Sequence, residues 1–407
     1  MRQAISYEML MMLVGPSGAT RSVAATDFAK LDFIQSYDFS FNVDRSALKQ
    51  LGTGIFATRQ TQLAPDVNLN FEYYLNDGWN ENFIGLNVNS GSYVNPFADV
   101  FNFNQDRNFY VLISPDNGRD ANSLGLTGSS FLNNPRFNDF NLLGIGNAYI
   151  SNFEISIAVN QLAKVNTSFI AANARIDKMN QNEEVVNLLY VPAIFTTGTG
   201  TTVNANYNVA FTTGVIKNGV PYFRDRDYPG LYKAEFNGGC PYSACTVTST
   251  AISGSGITFG LDFENFQSMT ISVPFERKSL YGFGGNHPFY RKIQEPVVGT
   301  FNLDSLVDSF QKQNLVTAFS NEDKTVSGYN FDIMFSNFTG RKRFGVRIQN
   351  ARLDSYSIGS SIGDRSIIST SWSFEVNDST GILFSGSFPT PTLVTHMITD
   401  SFNTYSR

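Results

Sequence analysis

The sequence is poor in charge, in histidine and in cysteine. Charged residues make up 16% of its 407 positions, against about 25% in ordinary globular proteins, so we expect an unusually neutral surface. Two histidines, His287 and His396, without a Ser or Cys elbow motif, argue against a nucleophilic triad. Two cysteines, Cys240 and Cys245, without a neighbouring histidine argue against a zinc site. Their spacing suits either a small loop disulfide or free thiols, and free thiols are favoured because cytosolic thiols usually stay reduced.

Long apolar runs and excess positive charge are also missing. The run at residues 9–14 is shorter than a signal-peptide core and far shorter than the roughly 18 residues of a spanning helix. This predicts a soluble protein made without export. The net charge of −6 and the pI near 5.1 argue against ordinary nucleic-acid binding, because that function needs a basic face to neutralise phosphates.

Aromatic residues are abundant, with 37 Phe and 18 Tyr. In a chain with so little charge, a surplus of aromatic side chains is typical of contacts between subunits. The composition therefore predicts a protein that assembles with itself.

The clearest pattern is an internal repeat. Residues 276–296 (ERKSLYGFGGNHPFYRKIQEP) resemble residues 44–65 (DRSALKQLGTGIFATRQTQLAP). Three residue types recur at an offset of 232, in the pairs Arg45/Arg277, Leu48/Leu280 and Gly52/Gly284. Pro65 and Pro296 match at an offset of 231, which a one-residue loop difference would explain. Collinear matches of this kind indicate one fold written twice.

Two further blocks repeat in the same order. Asn108-Phe109 matches Asn330-Phe331 at an offset of 222, and residues 147–158 match residues 350–361 at an offset of 203. We therefore predict two tandem domains, at residues 1–194 and 259–378. An insert or linker at residues 195–258 separates them, and a C-terminal extension or arm at residues 379–407 follows.

Each copy is predicted to be mainly β. Residues 31–43 and 67–71 alternate like half-buried strands. The roughly twenty residues between them far exceed the common hairpin loop of about two to five residues, and such a loop usually has a function. In the second copy, residues 304–310 predict a short helix that Asp304 caps, with Leu306 and Phe310 on its apolar face.

The remaining motifs have ordinary explanations. His287 lies in Gly-Gly-Asn-His-Pro, which is typical of a turn. The glycines at residues 282–285 lack the Lys-Ser/Thr of a phosphate loop. Asp304 and Asp308 are expected to share a solvated helix face. No catalytic residue, metal site or cofactor is predicted.

A strand, a long glycine-bearing loop with Arg and Pro, and a second strand, as in residues 280–297 (LYGFGGNHPFYRKIQEPV), resemble the tail tube proteins of long-tailed bacteriophages. The resemblance covers both copies. It implies two tandem tail-tube-like β-sandwich or barrel domains, each with a small helix and a long strand-connecting loop. Three chains would then complete a pseudo-hexameric ring of six domains.

The resemblance further implies a structural, non-enzymatic protein of the virion tail, assembled in the host cytoplasm. Its homotrimeric rings would stack into a tube that conducts genome DNA without binding it specifically. Its other partners would be the terminator, the baseplate or tip and the tape measure protein, with no membrane and no cofactor. The ring-stacking loops would be formed by Leu51, Gly52, Thr53, Gly54, Ile55, Phe56, Arg59, Gly284, Gly285, Asn286, His287, Pro288, Phe289 and Arg291.

Two alternative functions remain open at the level of sequence. One is a distal tail or baseplate hub protein. The other is a carbohydrate-binding, adhesin-like virion protein that uses Trp79, Trp372 and exposed tyrosines as stacking platforms, although core packing is favoured for both tryptophans. A basic lumen would retain phosphates, so a DNA conduit predicts that Lys and Arg avoid the channel.

Overall fold

The computed structural model of the protein describes residues 6–16, 29–43, 45–49, 56–61, 66–101, 106–116, 141–171, 173–178, 216–217, 220–223, 244–251, 261–281, 288–307, 328–336, 342–360, 366–387 and 396–397. The first half contains β1 (Ser6–Pro16), β2 (Ala29–Lys30), β3 (Ile34–Asn42), β4 (Arg45–Lys49), β5 (Phe56–Thr61), β6 (Asp66–Tyr74), α1 (Trp79–Ile84), β7 (Arg107–Asp116), β8 (Asn141–Ala158), β9 (Lys164–Ala171) and β10 (Asn173–Lys178). The second half contains β11 (Ile216–Lys217), β12 (Val220–Phe223), β13 (Ala244–Ala251), β14 (Leu261–Pro274), β15 (Arg277–Tyr281), β16 (Pro288–Ile293), β17 (Val297–Val307), β18 (Tyr329–Ser336), β19 (Lys342–Gly359), β20 (Ile367–Val376), β21 (Ile382–Ser385) and β22 (His396–Met397).

The described chain is mainly β, as the alternating sequence pattern predicts. Fifteen strands join in one large hydrogen-bonded sheet, and every strand pair in it is antiparallel. The hairpins β4–β5 and β15–β16 form separate two-stranded sheets, and β11, β12 and β22 form a three-stranded one. The long connections predicted after β3 and after β14 are therefore β-hairpins in their described parts.

One order of strand pairing occurs twice. β3, β6, β9, β8 and β7 pair in that sequence, and β14, β17, β20, β19 and β18 repeat it. β1 pairs with β7 as β13 pairs with β18, and β10 pairs with β8 as β21 pairs with β19. We name β1 and β3–β10 the first strand set, and β13–β21 the second strand set. Residues at the same position of two corresponding strands are counterparts.

The strand irregularities repeat along with the pairing order. Asn147 and Asn350 are counterparts, and both adopt the left-handed backbone region at φ of 53° and 57°. Their backbone N–H groups donate to the Oδ1 atoms of Asn108 and Asn330, each at 3.1 Å. Asparagine tolerates this backbone region better than most residues. The residues that the two copies of the repeat share therefore include asparagines that set the local backbone geometry.

The strand registers correct one detail of the sequence alignment. Ser40 lies opposite Asn68, and Ser272 lies opposite Thr300, so β3 and β6 both match their counterparts at an offset of 232. The hairpins keep this offset as well. Pro65 and Pro296 are therefore not counterparts. Their match at an offset of 231 is a coincidence, and the two copies need no difference in loop length here.

The helix predicted at residues 304–310 is wrong in its described part. Residues 304–307 form the end of β17, where Phe301, Leu303 and Ser305 are buried at every second position. That period of two belongs to a strand. Residues 308–310 lie outside the described ranges, within which the six-residue α1 is the single helix.

Aromatic rings fill the core between facing strands. Phe109 of β7 meets Phe169 of β9 edge to face, with 4.7 Å between ring centroids. Their counterparts, Phe331 and Trp372, repeat the contact at 4.9 Å. Edge-to-face pairs contribute beyond the area that they bury, so each strand set has an equivalent aromatic centre.

Candidate assembly interface

The two strand sets meet at a pairing between β8 and β14. Residues 152–158 run antiparallel to residues 268–274. On the core side this internal junction buries Phe153, Ile155, Ile271 and Val273. A central sheet therefore runs without a break through both sets in the order β3–β6–β9–β8–β14–β17–β20–β19.

This central sheet has two open edges. Among the described strands, β3 pairs only with β6, and residues 352–359 of β19 pair only with β20. These edges correspond to β14 and β8, the two strands of the internal junction. One end of the central sheet therefore exposes the counterpart of β14, and the other end exposes the counterpart of β8. Within the chain, β8 and β14 already pair with each other.

The open edges expose apolar side chains whose counterparts are buried. Phe41 on β3 is 53% exposed, whereas its counterpart Val273 is fully buried. Ile358 on β19 is 47% exposed, whereas its counterpart Ile155 is fully buried. An apolar, unpaired strand edge favours pairing with another chain. The two edges are therefore the strongest candidate interface among the described residues.

The face of the central sheet that points away from the core is polar and has few cations. Side chains alternate between the two faces of a strand, and on this face Ser, Thr and Asn predominate. Its acidic members are Asp38, Glu72, Glu154, Asp304, Asp354 and Glu375, and its basic members are Lys164 and Arg352. Lys164 Nζ lies 3.0 Å from Glu72 Oε1, a contact that raises the lysine pKa. The face is therefore neutral to acidic.

The predicted ring-stacking residues lie in the two hairpins or beyond the described ranges. Phe56 and Arg59 lie in β5, and Pro288, Phe289 and Arg291 lie in β16. The remaining nine positions fall outside the described residues, namely Leu51, Gly52, Thr53, Gly54, Ile55, Gly284, Gly285, Asn286 and His287.

Arg291 attaches the second hairpin to the first strand set. Its side chain is buried, and its Nη1 and Nη2 atoms donate to the carbonyl oxygens of Asn147 (3.4 Å) and Ala171 (3.2 Å). The guanidinium carbon lies 5.6 Å from the centre of the Tyr149 ring. Sequence reasoning placed this arginine in a ring-stacking loop and gave no sign of its anchoring contacts, because its acceptors are backbone atoms of distant strands.

Arg277 reinforces the same attachment. Its Nε donates to the carbonyl oxygen of Ile150 at 3.1 Å, and its guanidinium carbon lies 5.1 Å from the centre of the Tyr149 ring. The counterpart of Tyr149 is Arg352 on the open β19 edge. A cation–π contact needs an aromatic face, so the two arginine–tyrosine contacts belong to the internal junction alone.

Both tryptophans are core residues, as the sequence predicts. Trp79 and Trp372 are at most 3% exposed, and their Nε1 atoms donate to the carbonyl oxygen of Lys30 (3.1 Å) and the Oγ1 of Thr370 (3.0 Å). A buried indole offers no face to a sugar ring. The use of these tryptophans as stacking platforms is therefore wrong.

The ionisable groups of the described core do not form a metal site. No group of three or more His, Cys, Asp or Glu that could hold a metal occurs within the described ranges. The buried Tyr73 hydroxyl donates to Glu81 Oε1 at 2.9 Å, and burial, together with this carboxylate, raises the pKa of Tyr73 well above its usual value.

Asp304 was predicted to share a helix face with Asp308. It instead lies in β17 and accepts a hydrogen bond from Ser268 Oγ on the neighbouring strand β14. Asp308 lies outside the described residues.

No helix in the described part of the chain has the length and apolar character that a membrane crossing requires. No protein-family model matches the sequence, and no curated protein matches it.

Among solved structures, the chain is similar to three chains from contractile injection systems. A chain of the anti-feeding prophage baseplate, 6-fold symmetrised, is 13% identical, with 40% of this chain and 98% of that chain covered and a TM-score of 0.26. A chain of the sheath/tube terminator of an extracellular contractile injection system, PVC, in its extended state, is 11% identical, with 39% and 100% covered and a TM-score of 0.25. A chain of the anti-feeding prophage tube terminating cap is 11% identical, with 39% and 95% covered and a TM-score of 0.23.

Proposed function

We propose that this protein is a structural subunit of a phage-tail-like apparatus, where three copies close into a ring that stacks to form the tail tube. The single observation that carries this proposal is the pair of open edges, β3 and β19, which match the two strands already paired at the internal junction. Joining β19 of one copy to β3 of the next continues the central sheet by the pairing that the chain already uses. A closed ring leaves neither edge of the central sheet unpaired.

The internal junction predicts the register of the junction between copies. Ile271 lies opposite Ile155, and Val273 lies opposite Phe153. Transferred to the counterparts, Phe39 faces the partner subunit's Ile358, and Phe41 faces the partner's Tyr356. The apolar side chains that one copy exposes then become buried in the ring.

The two strand sets support two tandem domains in the chain. Strand pairing extends each unit beyond the bounds that the sequence suggests, because β13 lies within residues 195–258 and pairs as β1 does. β21 lies beyond residue 379 and pairs as β10 does. We therefore propose a first unit at residues 6–178 and a second unit at residues 244–387. Three chains then supply six units, the number expected in a tail tube ring.

The polar face of the central sheet is the proposed lining of the channel. It carries more carboxylates than cations among the described residues, and phosphates are not retained by such a surface. Hydroxyl and amide side chains leave the lining hydrated. This supports a conduit that DNA passes without specific binding. We further propose that the protein is assembled in the host cytoplasm and resides in the tail.

Electron microscopy of the purified chain, combined with mass measurement by light scattering, tests the proposal. We expect three-copy rings and stacks of rings with a central channel. Monomers that stay dispersed at all concentrations would overturn it.

A second candidate function is a ring at the end of a tube, as in a baseplate hub or a terminator. The names of the three similar structures, a baseplate, a sheath/tube terminator and a tube terminating cap, give such positions for those proteins. The same micrographs separate the two functions. Rings that never stack favour the end position, and long tubes favour the tube subunit. The terminator, the baseplate or tip and the tape measure protein remain the proposed further partners.

The connection from β4 to β5 and the connection from β15 to β16 are the proposed ring-stacking elements. Deleting residues 52–56 or residues 284–288 is expected to leave rings but prevent stacking, because a surface connection adds little to the core of its own unit. Thermal unfolding and electron microscopy of each deletion check this prediction. Normal tubes formed by either deletion would contradict it, and a substitution at exposed Val298 on the polar face serves as the control.

A further inference from the structure

The outer edge of the second strand set is covered within the chain. Phe384 of β21 is fully buried, and its backbone N–H and C=O bond to Val94 at 2.8 and 2.9 Å. Its ring centroid lies 5.8 Å from that of Phe153 on β8 and 6.0 Å from that of Phe97. Val94 and Phe97 belong to the connection between α1 and β7. The first strand set therefore covers this edge.

The corresponding strand of the first strand set is β10, and it exposes its apolar side chain at the equivalent position. β10 pairs with β8 as β21 pairs with β19, at an offset of 208 from Ala174 to Ile382. This offset makes Ile176 the counterpart of Phe384. Ile176 is 70% exposed, more than any other large apolar side chain among the described residues. The side chain at this position is thus buried in the second strand set and exposed in the first strand set.

We propose that the outer edge of β10, marked by Ile176, is a docking surface for a second copy of this chain. The proposal rests on the ring proposed above. In that ring the neighbouring copy brings its β19 to β3, and the counterpart of Phe153 on β19 is Tyr356. Ile176 then packs against the partner subunit's Tyr356, at a separation close to the 5.8 Å of the internal pair.

This second contact gives the junction between copies two layers. Strand pairing alone is a single line of hydrogen bonds, about which two sheets can rotate, as the spread of twist between neighbouring strands shows. A contact between β10, which lies outside the central sheet, and the partner's β19 fixes the angle of that rotation. A fixed angle that matches the rotation between neighbouring copies closes the ring, whereas an angle that does not match leads to open chains.

Substitution of Ile176 measures the strength of this contact. Ile176→Ser removes the apolar burial and is expected to weaken association roughly tenfold to a hundredfold at each junction. The unfolding of the isolated chain should not change, because Ile176 is exposed there. Sedimentation over a concentration series gives the association constant, with Val298→Ser, an exposed apolar residue on the polar face, as the control.

Crosslinking locates the contact directly. In a Cys240→Ser, Cys245→Ser background, one variant carries Ile176→Cys with Tyr356→Cys, and a second carries Phe39→Cys with Ile358→Cys. A short bifunctional thiol reagent should link both variants into covalent trimers on a denaturing gel. Ile176→Cys with Val298→Cys is the control pair and should stay unlinked.

The outcomes separate this inference from the proposed ring. Crosslinks in both variants support both the docking surface and the ring. Links through Phe39 and Ile358 without links through Ile176 and Tyr356 overturn the docking surface and leave the ring standing. Absence of rings from the parent chain overturns both.

Discussion

Ile358→Asp is expected to abolish ring formation while leaving a folded monomer. The side chain is 47% exposed on the open β19 edge, so an aspartate there remains hydrated in the single chain. In the proposed ring the same carboxylate would be buried against Phe39 of the next copy, without a partner. Burying an unpaired charge costs several kcal/mol, which corresponds to a loss of association on the order of a thousandfold. Light scattering and thermal unfolding of the purified variant check both halves of this result.

The repeated pairing supplies a matched control for that experiment. Ile155 is the counterpart of Ile358, but it is fully buried within the chain at the internal junction. Ile155→Asp should therefore destabilise the fold itself, by about 4 kcal/mol or more. The same substitution thus affects assembly at one position and folding at the other. Rings of normal stability from Ile358→Asp would contradict the proposed junction.

Trp372→Ala is expected to lower the free energy of unfolding by about 3–5 kcal/mol, the usual range for a buried large aromatic residue. Trp372 is fully buried, and its ring centroid lies 4.9 Å from that of Phe331 and 5.3 Å from that of Tyr329. Its Nε1 donates to Thr370 Oγ1 at 3.0 Å. Truncation leaves a cavity and removes the hydrogen bond that Thr370 Oγ1 accepts, while the Thr370 hydroxyl still donates to the Leu303 carbonyl oxygen at 3.4 Å. Urea unfolding followed by circular dichroism measures the loss.

Trp372→Phe is the matched control, because the counterpart of Trp372 in β9 is Phe169. That phenylalanine makes the same edge-to-face contact with Phe109, so a phenylalanine preserves the ring pair and loses only the indole hydrogen bond and some volume. We expect it to lose less than half as much stability as the alanine variant. Equal losses in the two variants would show that ring packing is not the cause.

Much of the strand pattern could be predicted from the sequence, because period-two alternation reports which face of a strand is buried. Residues 31–43 and 67–71 contain the alternation, and the structure has β3 and β6 there. The prediction of a helix at residues 304–310 was wrong in its described part for a related reason. Short apolar runs fit both periods, and β14 and β20, which flank β17, impose the strand.

The outermost strands of the two sets could not have been matched from the sequence. β1 and β13 occupy the same place beside β7 and β18, yet their sequences, SYEMLMMLVGP and ACTVTSTA, share no pattern. Backbone hydrogen bonds define a strand's place in a sheet, and many side chains satisfy the same edge. The open edges of the candidate interface could not be predicted from the sequence for the same reason, because strand pairing defines them.

The internal junction between β8 and β14 has a consequence for how assembly proceeds. Two units on one polypeptide meet without a collision between molecules, so three chains would close the proposed six-unit ring through two associations between molecules, where six separate units would need five. Each association between separate molecules loses translational and rotational freedom worth an estimated 4–15 kcal/mol at a 1 M standard state, and the tether avoids three of these five losses. It also makes the junctions alternate around the proposed ring, with the Tyr149 contacts at one kind and Arg352 at the other. The junctions within a chain can then remain permanent while those between chains govern the concentration at which rings form.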